Sequence, residues 1–303
     1  GVYLNEKGEV IDDAIVYRMA SETYLTVVNS GMGDEIAQHL KGHMGGKDVD
    51  VRDLTDRVGK IDVQGPMSAR VLSKILAQPD EVFMDMGYFS FKGHFDQTSS
   101  LADTVRLIDG TPILLSRTGY TGEFGFEIFV EPHKLLNLWE SILEAGEEFG
   151  LLPCGLAARD SLRAGAVLPL SHQDIGHWPF INNPWTFALP FNADSTGFTK
   201  KFIGDKALKN IDVPEYTYAF AGYDPRKVSV HDPAFVLDPG GNEIGKVLSC
   251  VSESAIARHD GRICRISSPH KPEGFNPRGL CCGFVKVKSI LASGQTVKLK
   301  DNR

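Results

Sequence analysis

The sequence predicts an α+β protein with more than one domain. The chain has 303 residues, which is more than one hydrophobic core of ordinary size takes up. Segments with strand and helix patterns alternate through the first two thirds, and short strands between Pro- and Gly-rich turns follow. We therefore expect residues 1–209 to form an α+β region and residues 210–303 to form a β-rich barrel domain.

Local patterns predict the elements of the first 166 residues. Runs rich in Val, Ile and Tyr indicate strands, and apolar residues spaced three to four apart indicate helices. The predicted strands are 2–4, 10–18, 24–28, 49–54, 58–63, 89–95, 113–116 and 126–130. The predicted helices are 34–40, 68–76, 133–149 and 155–166.

Composition excludes several classes of protein. Hydrophobic residues make up 42% and charged residues 23%, which are ordinary globular values. The net charge of −7 and the lack of a basic stripe argue against a nucleic-acid partner. No apolar run approaches the ~20 residues of a membrane span, and no signal peptide is evident. Five cysteines without a CxxC pair are typical of reduced thiols in a cytoplasmic protein.

Two adjacent carboxylates, Asp12 and Asp13, stand at the start of an apolar strand. Neighbouring strand residues point to opposite faces, so one carboxylate can be exposed while the other faces a cavity. A buried carboxylate has a shifted pKa or close partners and is a candidate for acid–base work. By themselves, the two residues favour the alternative interpretation, a turn cap and a solvated face.

Two further motifs suggest ligand contacts. The segment SRTGYTGEFGFE at 116–127 carries three glycines in seven residues and ends on Glu127; its backbone can approach a flat ligand, and the carboxylate can accept two N–H groups of an aminopyrimidine. The segment GLAARDSLRAG at 155–165 places Arg159 and Arg163 on one helix face. A hairpin loop with an exposed Glu and a pair of surface arginines are the alternative interpretations.

Together these motifs resemble the glycine-cleavage T-protein (aminomethyltransferase) family, which also contains tetrahydrofolate-dependent demethylases. The collinear matches are IDDAIVYR at 11–18, VVNS at 27–30, QGPMSA at 64–69, the two segments above, FIGDKAL at 202–208 and IGKVLS at 244–249. The resemblance implies a multidomain fold around a central folate channel, with two interleaved domains in residues 1–209. It also implies that N- and C-terminal segments of the natural protein lie outside this chain, and we expect both natural ends to be missing.

The resemblance assigns roles to individual residues. Asp13 matches the catalytic Asp beside the folate nitrogens, and Asn29 matches a folate-contacting Asn. Glu127 matches the Glu that holds the pterin ring, and Arg159 matches a folate-binding Arg. Tyr120 and Val16 are expected in the channel. The implied function is transfer of a one-carbon unit from a donor to tetrahydrofolate, with either a lipoyl carrier protein or a small methyl donor as the partner and without nucleic acid, membrane or metal.

One segment departs from the family. Where aminomethyltransferases have a Tyr-Gly-x-Asp-Ile segment, this chain reads LSHQDIGHWPFINNPW at 170–185. The new His172, Trp178 and Trp185 suggest an aromatic-lined pocket for a small methyl donor such as a methoxy-aromatic compound, as in an O- or S-demethylase. Core packing of these aromatic residues is the alternative.

Three other hypotheses remain open. A zinc site could use His172, Asp174 and His177, although a further ligand of good spacing is lacking. The strand and glycines at 27–33 could bind a nucleotide, although the third Gly and the downstream acidic residue of that motif are missing. A folate-binding regulator that transfers nothing is also possible, but retention of Asp13 favours catalysis.

Overall fold

The computed structural model describes residues 1–212, 214–231 and 233–301, and they divide into two compact units. Unit 1 comprises residues 1–51 and 163–303, and unit 2 comprises residues 52–162. Helices and antiparallel strands occur together, as the α+β class requires. The boundary at 209/210 expected from the sequence stays a prediction.

The strands and helices are short, and most strands pair with a neighbour close in sequence. The strands are β1 Val2–Leu4, β2 Val10–Asp13, β3 Ile15–Arg18, β4 Tyr24–Val27, β5 Gly59–Gln64, β6 Phe91–Gly93, β7 Leu114–Ser116, β8 Gly125–Val130, β9 Tyr216–Ala221, β10 Phe235–Leu237, β11 Glu243–Glu253, β12 Ile256–His259, β13 Arg262–Arg265, β14 Leu280–Val287 and β15 Lys298–Lys300. The α-helices are α1 Gly33–Gly42, α2 Ser68–Ser73, α3 Pro79–Phe83, α4 Leu135–Gly146, α5 Leu156–Gly165 and α6 Asp205–Lys209. Single 3₁₀ turns lie at Thr55–Arg57, Pro132–Lys134, Glu147–Phe149 and Thr186–Ala188, and a π-helical turn lies at Ser171–Ile175.

Unit 2 is a four-stranded antiparallel sheet with helices packed on it. Its strand order is β5-β8-β7-β6, and β8 is buried along its whole length. In β5, Ile61 and Val63 face the core whereas Lys60 and Asp62 alternate outward. Because Asp62 pairs directly with Glu127 of β8, the outward charges of β5 lie beside this carboxylate.

The N-terminal part of unit 1 consists of two small hairpins. Strands β1 and β2 pair with Val2 opposite Asp13, and the Asn5 side chain closes their turn by accepting the backbone N–H groups of Lys7 and Glu9 at 2.9 and 3.1 Å. The single predicted strand 10–18 is broken at Ala14, and its second half, β3, pairs with β4 instead. This break separates the two carboxylates from the exposed β3–β4 hairpin.

The C-terminal part of unit 1 contains a five-stranded antiparallel sheet in the order β15-β10-β11-β14-β9. Its core includes Val236, Val247, Val285 and Val287. Within the described residues, β15 and β9 are the two edges of this sheet, so it is open. The barrel expected for residues 210–303 is therefore not formed by these strands and stays a prediction.

The strand predicted at 49–54 is wrong. The sequence pattern indicated a strand there, but residues 49–54 are irregular and largely exposed. They lie where the chain passes from unit 1 to unit 2. A strand needs a neighbour for its backbone groups, and the Val49 N–H binds the nearby carbonyl of Lys47 at 3.0 Å instead.

Candidate active site

Asp12 and Asp13 lie in different environments at the end of β2. Asp12 is fully buried, with 0% of its surface exposed, whereas Asp13 is half-buried. The Asp12 carboxylate accepts the hydroxyl of Ser171 at 3.0 Å and lies 3.3 Å from Nε2 of His172. A buried carboxylate that accepts this many donors is held in one orientation.

Asn29 connects the two carboxylates. Its backbone N–H donates to Asp12 Oδ2 at 2.8 Å, and its side-chain amide donates to Asp12 Oδ1 at 2.8 Å and to Asp13 Oδ1 at 2.9 Å. Asn29 comes two residues after the end of β4, so the β3–β4 hairpin returns its amide to the end of β2. The sequence-predicted residues Asp13 and Asn29 are thus in direct contact.

Asp13 has the electrostatics of a proton acceptor. Burial raises the pKa of Asp13 above its usual value, and the neighbouring charge of Asp12 adds to this effect. Hydrogen bonds, including the one from Asn29, oppose the shift without cancelling it. A carboxylate with a raised pKa takes up a proton more readily than an exposed one, and is a candidate for acid–base chemistry.

A buried ion pair stabilises the π-helical turn that carries Ser171 and His172. Arg163 of α5 pairs with Asp174 of the π-helical turn, and both side chains are buried. The Asp174 carboxylate also accepts the backbone N–H of Leu170 at 2.9 Å, and Gln173 donates to the Leu248 carbonyl of β11 at 2.9 Å. These contacts fix the turn that carries the residues facing Asp12. Arg163 is therefore not the surface arginine that its helical spacing also allowed.

Glu127 lies in unit 2 within a second polar cluster. Only 5% of its surface is exposed. The hydroxyl of Thr118 donates to one carboxylate oxygen and the Lys60 ammonium contacts the other. Lys60 also pairs with Asp62 at 3.2 Å. Sequence reasoning missed Lys60 and Thr118, although the strand alternation of residues 60–63 places Lys60 and Asp62 on one face.

The charges around Glu127 influence one another. Burial acts to lower the pKa of Lys60, but the carboxylates of Asp62 and Glu127 outweigh it and raise the pKa overall. Burial raises the pKa of Asp62, against the lowering effect of Lys60. Lys60 therefore stays an ammonium, and its charge partly neutralises the two carboxylates of this cluster.

Arg159 and Tyr120 are in contact within unit 2. The guanidinium of Arg159 lies over the Tyr120 ring, 4.7 Å from its centroid, and Arg159 is exposed. This cation–π pair orients the arginine without using its hydrogen-bond donors. The two residues are thus available to a ligand as one flat, charged surface.

The other sequence-predicted site residues lie elsewhere in unit 1. Val16 is 54% exposed on β3. Trp185 packs against the apolar cluster that contains Val10 and Phe180, which is the core-packing alternative.

Trp178 has a different environment. Its ring contacts two ammonium groups, Lys286 at 4.1 Å and Lys246 at 5.5 Å. A cavity of about 60 Å³ adjoins it and is lined in part by Lys286, Glu215 and Thr217.

The described residues bear on the zinc hypothesis and on membrane-spanning helices. No group of three His, Cys, Asp or Glu side chains within residues 1–212, 214–231 and 233–301 could hold a metal ion. Within the same ranges, no helix is long and apolar enough to cross a membrane. All five cysteines are free thiols.

Comparison with known proteins identifies the family. The model described as the GCVT N-terminal domain matches residues 1–179, which include Asp12, Asp13, Asn29, Glu127 and Arg159. The chain therefore belongs to the GCVT family.

Particular relatives agree with this assignment. An aminomethyltransferase of Bacillus cytotoxicus is 32% identical over 258 residues, and one of Bacillus mycoides is 38% identical over 261 residues. Each match covers 84% of this chain and 65% of the relative, so the chain spans about two thirds of the length of these curated relatives. The crystal structure of glycine cleavage system aminomethyltransferase T from Bartonella henselae shares the fold, with a TM-score of 0.67 and 24% identity over 95% of this chain and 66% of that one.

Proposed function

We propose that this protein transfers a one-carbon unit from a donor to tetrahydrofolate. The family match over residues 1–179 carries the proposal. It is supported by the paired carboxylates of β2, of which Asp13 has a raised pKa, and by relatives named aminomethyltransferase. The free thiols are in keeping with a cytoplasmic protein.

The residues of unit 2 fit the pterin ring of the folate. A carboxylate offers about four lone-pair positions, and Glu127 uses one for Thr118 and one for Lys60. Positions therefore remain for the N–H groups of an aminopyrimidine. Arg159, stacked on Tyr120, supplies a planar donor that suits a carbonyl or carboxylate of the ligand. We assign these three residues to pterin recognition.

Asp13 and Asn29 are assigned to the reaction itself, and Val16 to the channel. Folate supplies the nitrogen that accepts the carbon. The Asp13 carboxylate stabilises positive charge that develops on that nitrogen and takes its proton, and the Asn29 amide fixes the carboxylate in place. Positioning and exclusion of water account for most of the acceleration expected of such a site.

The donor is assigned to the 170–185 segment, with His172, Trp178 and Trp185 as its residues. In one form of the proposal the donor is an aminomethyl-lipoyl carrier protein, as the resemblance to the glycine-cleavage T-protein family implies. In the other it is a small methyl donor, because aromatic residues and histidines occupy the segment.

The test offers the purified protein tetrahydrofolate with each type of donor and identifies the folate product by mass spectrometry. Methylene-tetrahydrofolate and ammonia from the aminomethyl-lipoyl carrier establish an aminomethyltransferase. Methyl-tetrahydrofolate from a small donor establishes a demethylase. Asp13→Asn serves as the control and is expected to bind folate but turn over at least about a hundredfold more slowly. Folate binding without any product identifies a regulatory protein and refutes the proposal.

A further inference from the structure

His172 forms a carboxylate–imidazole pair with Asp12. Its Nε2 lies 3.3 Å from Asp12 Oδ1. Asp12 is fully buried, whereas 41% of the His172 side chain is exposed. Ser171 and His172 lie in the 170–185 segment, and the hydroxyl of Ser171 donates to the same carboxylate oxygen that faces the imidazole.

The hydrogen bonds around Asp12 fix the direction of the His172 proton. An ionised carboxylate only accepts hydrogen bonds, and Asp12 already accepts the Ser171 hydroxyl and two N–H groups of Asn29. The ring nitrogen that faces Asp12 therefore carries a hydrogen, and Nδ1 is the nitrogen that exchanges protons with a substrate. A buried carboxylate opposite one ring nitrogen also fixes the tautomer and orientation of the ring, as in catalytic histidine–carboxylate pairs.

A second histidine holds the ring from the side. The rings of His172 and His177 are 4.8 Å apart and tilted by 38°, and His177 Nδ1 lies 3.2 Å from the carbonyl oxygen of Val10. The imidazole of His172 is thus restrained at one nitrogen by Asp12 and along one side by His177. Such restraint is what positions a catalytic acid or base for proton transfer.

We propose that His172, held by Asp12, is the general acid that protonates the leaving atom of the one-carbon donor. The inference rests on the proposed transfer to folate. The bond between the transferred carbon and the donor heteroatom breaks, its electron pair stays on the heteroatom, and that atom takes the proton from His172 Nδ1. The carbon bonds to the folate nitrogen, whose proton passes to the Asp13 carboxylate.

Protons then return through water, and the balance involves no oxidant or reductant. Asp13 releases its proton to solvent, and His172 regains one from solvent. With a methyl donor, one hydrogen has moved from the folate nitrogen to the donor heteroatom. With the aminomethyl-lipoyl carrier, the carbon leaves both its nitrogen and its sulfur and bonds to two folate nitrogens, and the two hydrogens of those nitrogens end on ammonia and on the lipoyl thiol. Both carboxylates are bridged by the Asn29 amide, so the proton donor and the proton acceptor belong to one hydrogen-bonded group.

This role defines the class of donor. General acid catalysis helps a leaving group that is a strong base when it departs, such as a phenolate, an amide anion or a thiolate. A sulfonium donor leaves as a neutral thioether and needs no proton. The structure therefore points to donors whose carbon is bound to an oxygen, nitrogen or thioether-type sulfur that must be protonated.

The kinetic test compares wild type with His172→Gln in the presence of tetrahydrofolate. The donors are an aminomethyl-lipoyl carrier and a series of methoxybenzenes whose ring substituents vary the basicity of the phenolate. We expect a loss of about 10²–10⁴ in turnover with the carrier or the unsubstituted ring, and a much smaller loss with a nitro-substituted ring. Folate affinity should stay within twofold of wild type.

His259→Gln is the matched control. His259 Nε2 also lies 3.3 Å from a carboxylate oxygen, that of Asp260, but the Asp260 side chain is 90% exposed. This variant should keep wild-type turnover with every donor. A second readout needs no donor: ¹⁵N NMR should find the His172 hydrogen on Nε2, with a mixed tautomer in Asp12→Asn.

Each outcome separates this inference from the proposed function. If wild type forms no folate product from any donor, the proposed function fails and this inference fails with it. If wild type is active and His172→Gln keeps its turnover, or loses the same factor with every leaving group, only the acid role of His172 is refuted. A neutral His172 ring with its hydrogen on Nδ1 and none on Nε2 would refute the orientation on which the role depends.

Discussion

Breaking the buried Arg163–Asp174 ion pair should strongly lower the free energy of unfolding of unit 1. Only 1% of the Arg163 side chain and 0% of the Asp174 side chain is exposed. Asp174→Asn keeps the size of the side chain but removes the charge opposite the guanidinium. Leaving one buried charge unpaired costs about 3–5 kcal/mol, against a total stability of about 5–15 kcal/mol for ordinary domains.

The contacts of Asp174 indicate which of its two partners should account for the lost stability. Asp174 accepts the Leu170 N–H, and an Asn side chain can still accept it through its amide oxygen. Most of the cost should therefore come from the guanidinium of Arg163, which loses its carboxylate partner. Replacing both partners, as in Arg163→Met with Asp174→Leu, removes both buried charges, and the electrostatic cost should be smaller than that of Asp174→Asn alone. The double variant also leaves the Leu170 N–H without its acceptor, which costs about 1–3 kcal/mol.

The assay is urea unfolding followed by circular dichroism, with Glu148→Gln as the control. Glu148 pairs with Lys74, but both side chains are largely exposed, so this variant should stay within about 1 kcal/mol of wild type. A loss below about 1 kcal/mol for Asp174→Asn would show that the buried pair is not what holds the turn. A double variant less stable than the single one would refute the electrostatic explanation.

Three further predictions concern the sites and one glycine. Burial raises the pKa of Asp13 above 3.8, so the native state binds a proton more tightly than the unfolded chain. The free energy of unfolding of the wild type therefore falls as the pH rises from 3.8 through the pKa of the folded state. Asp13→Asn should be the more stable protein at neutral pH in urea unfolding, with the difference vanishing at acid pH. Glu127→Ala should weaken tetrahydrofolate binding at least about tenfold in calorimetry, since it removes charge-assisted hydrogen bonds, and an unchanged affinity would exclude the pterin role. Gly176→Ala should cost more than about 2 kcal/mol, because its φ of 67° and ψ of 175° suit glycine and a Cβ would lie 1.9 Å from the Trp178 ring; wild-type stability in the same assay would contradict this.

The sequence predicted the carboxylate pair better than its surroundings. Alternation along a strand indicated that Asp12 and Asp13 face different environments, and the structure has one fully buried and the other half-buried. Their partners could be found only in part, because the resemblance supplied Asn29 but departs from this chain at Ser171. A hydrogen bond between Ser171 and Asp12 joins residues 159 positions apart, and no local pattern encodes such a contact.

The cluster around Glu127 shows the same limit. Strand patterns predicted both β5 and β8, but the register that sets Asp62 opposite Glu127 depends on pairing between strands distant in sequence. The α5 helix was predicted from its own periodicity, whereas the burial of Arg163 depends on Asp174 beyond the helix. The strand prediction at 49–54 failed because a strand-like residue pattern specifies a strand only where another strand can pair with it.

The division of the chain constrains the order in which its parts can fold during synthesis. Unit 2 is one continuous stretch, residues 52–162, and its four strands can pair as soon as that stretch has left the ribosome. Asp12 is made earlier, yet its Ser171 partner is synthesised 159 residues later. The two carboxylates of β2 therefore remain incompletely partnered until unit 2 has been made. Closure of this long loop is a late step of folding.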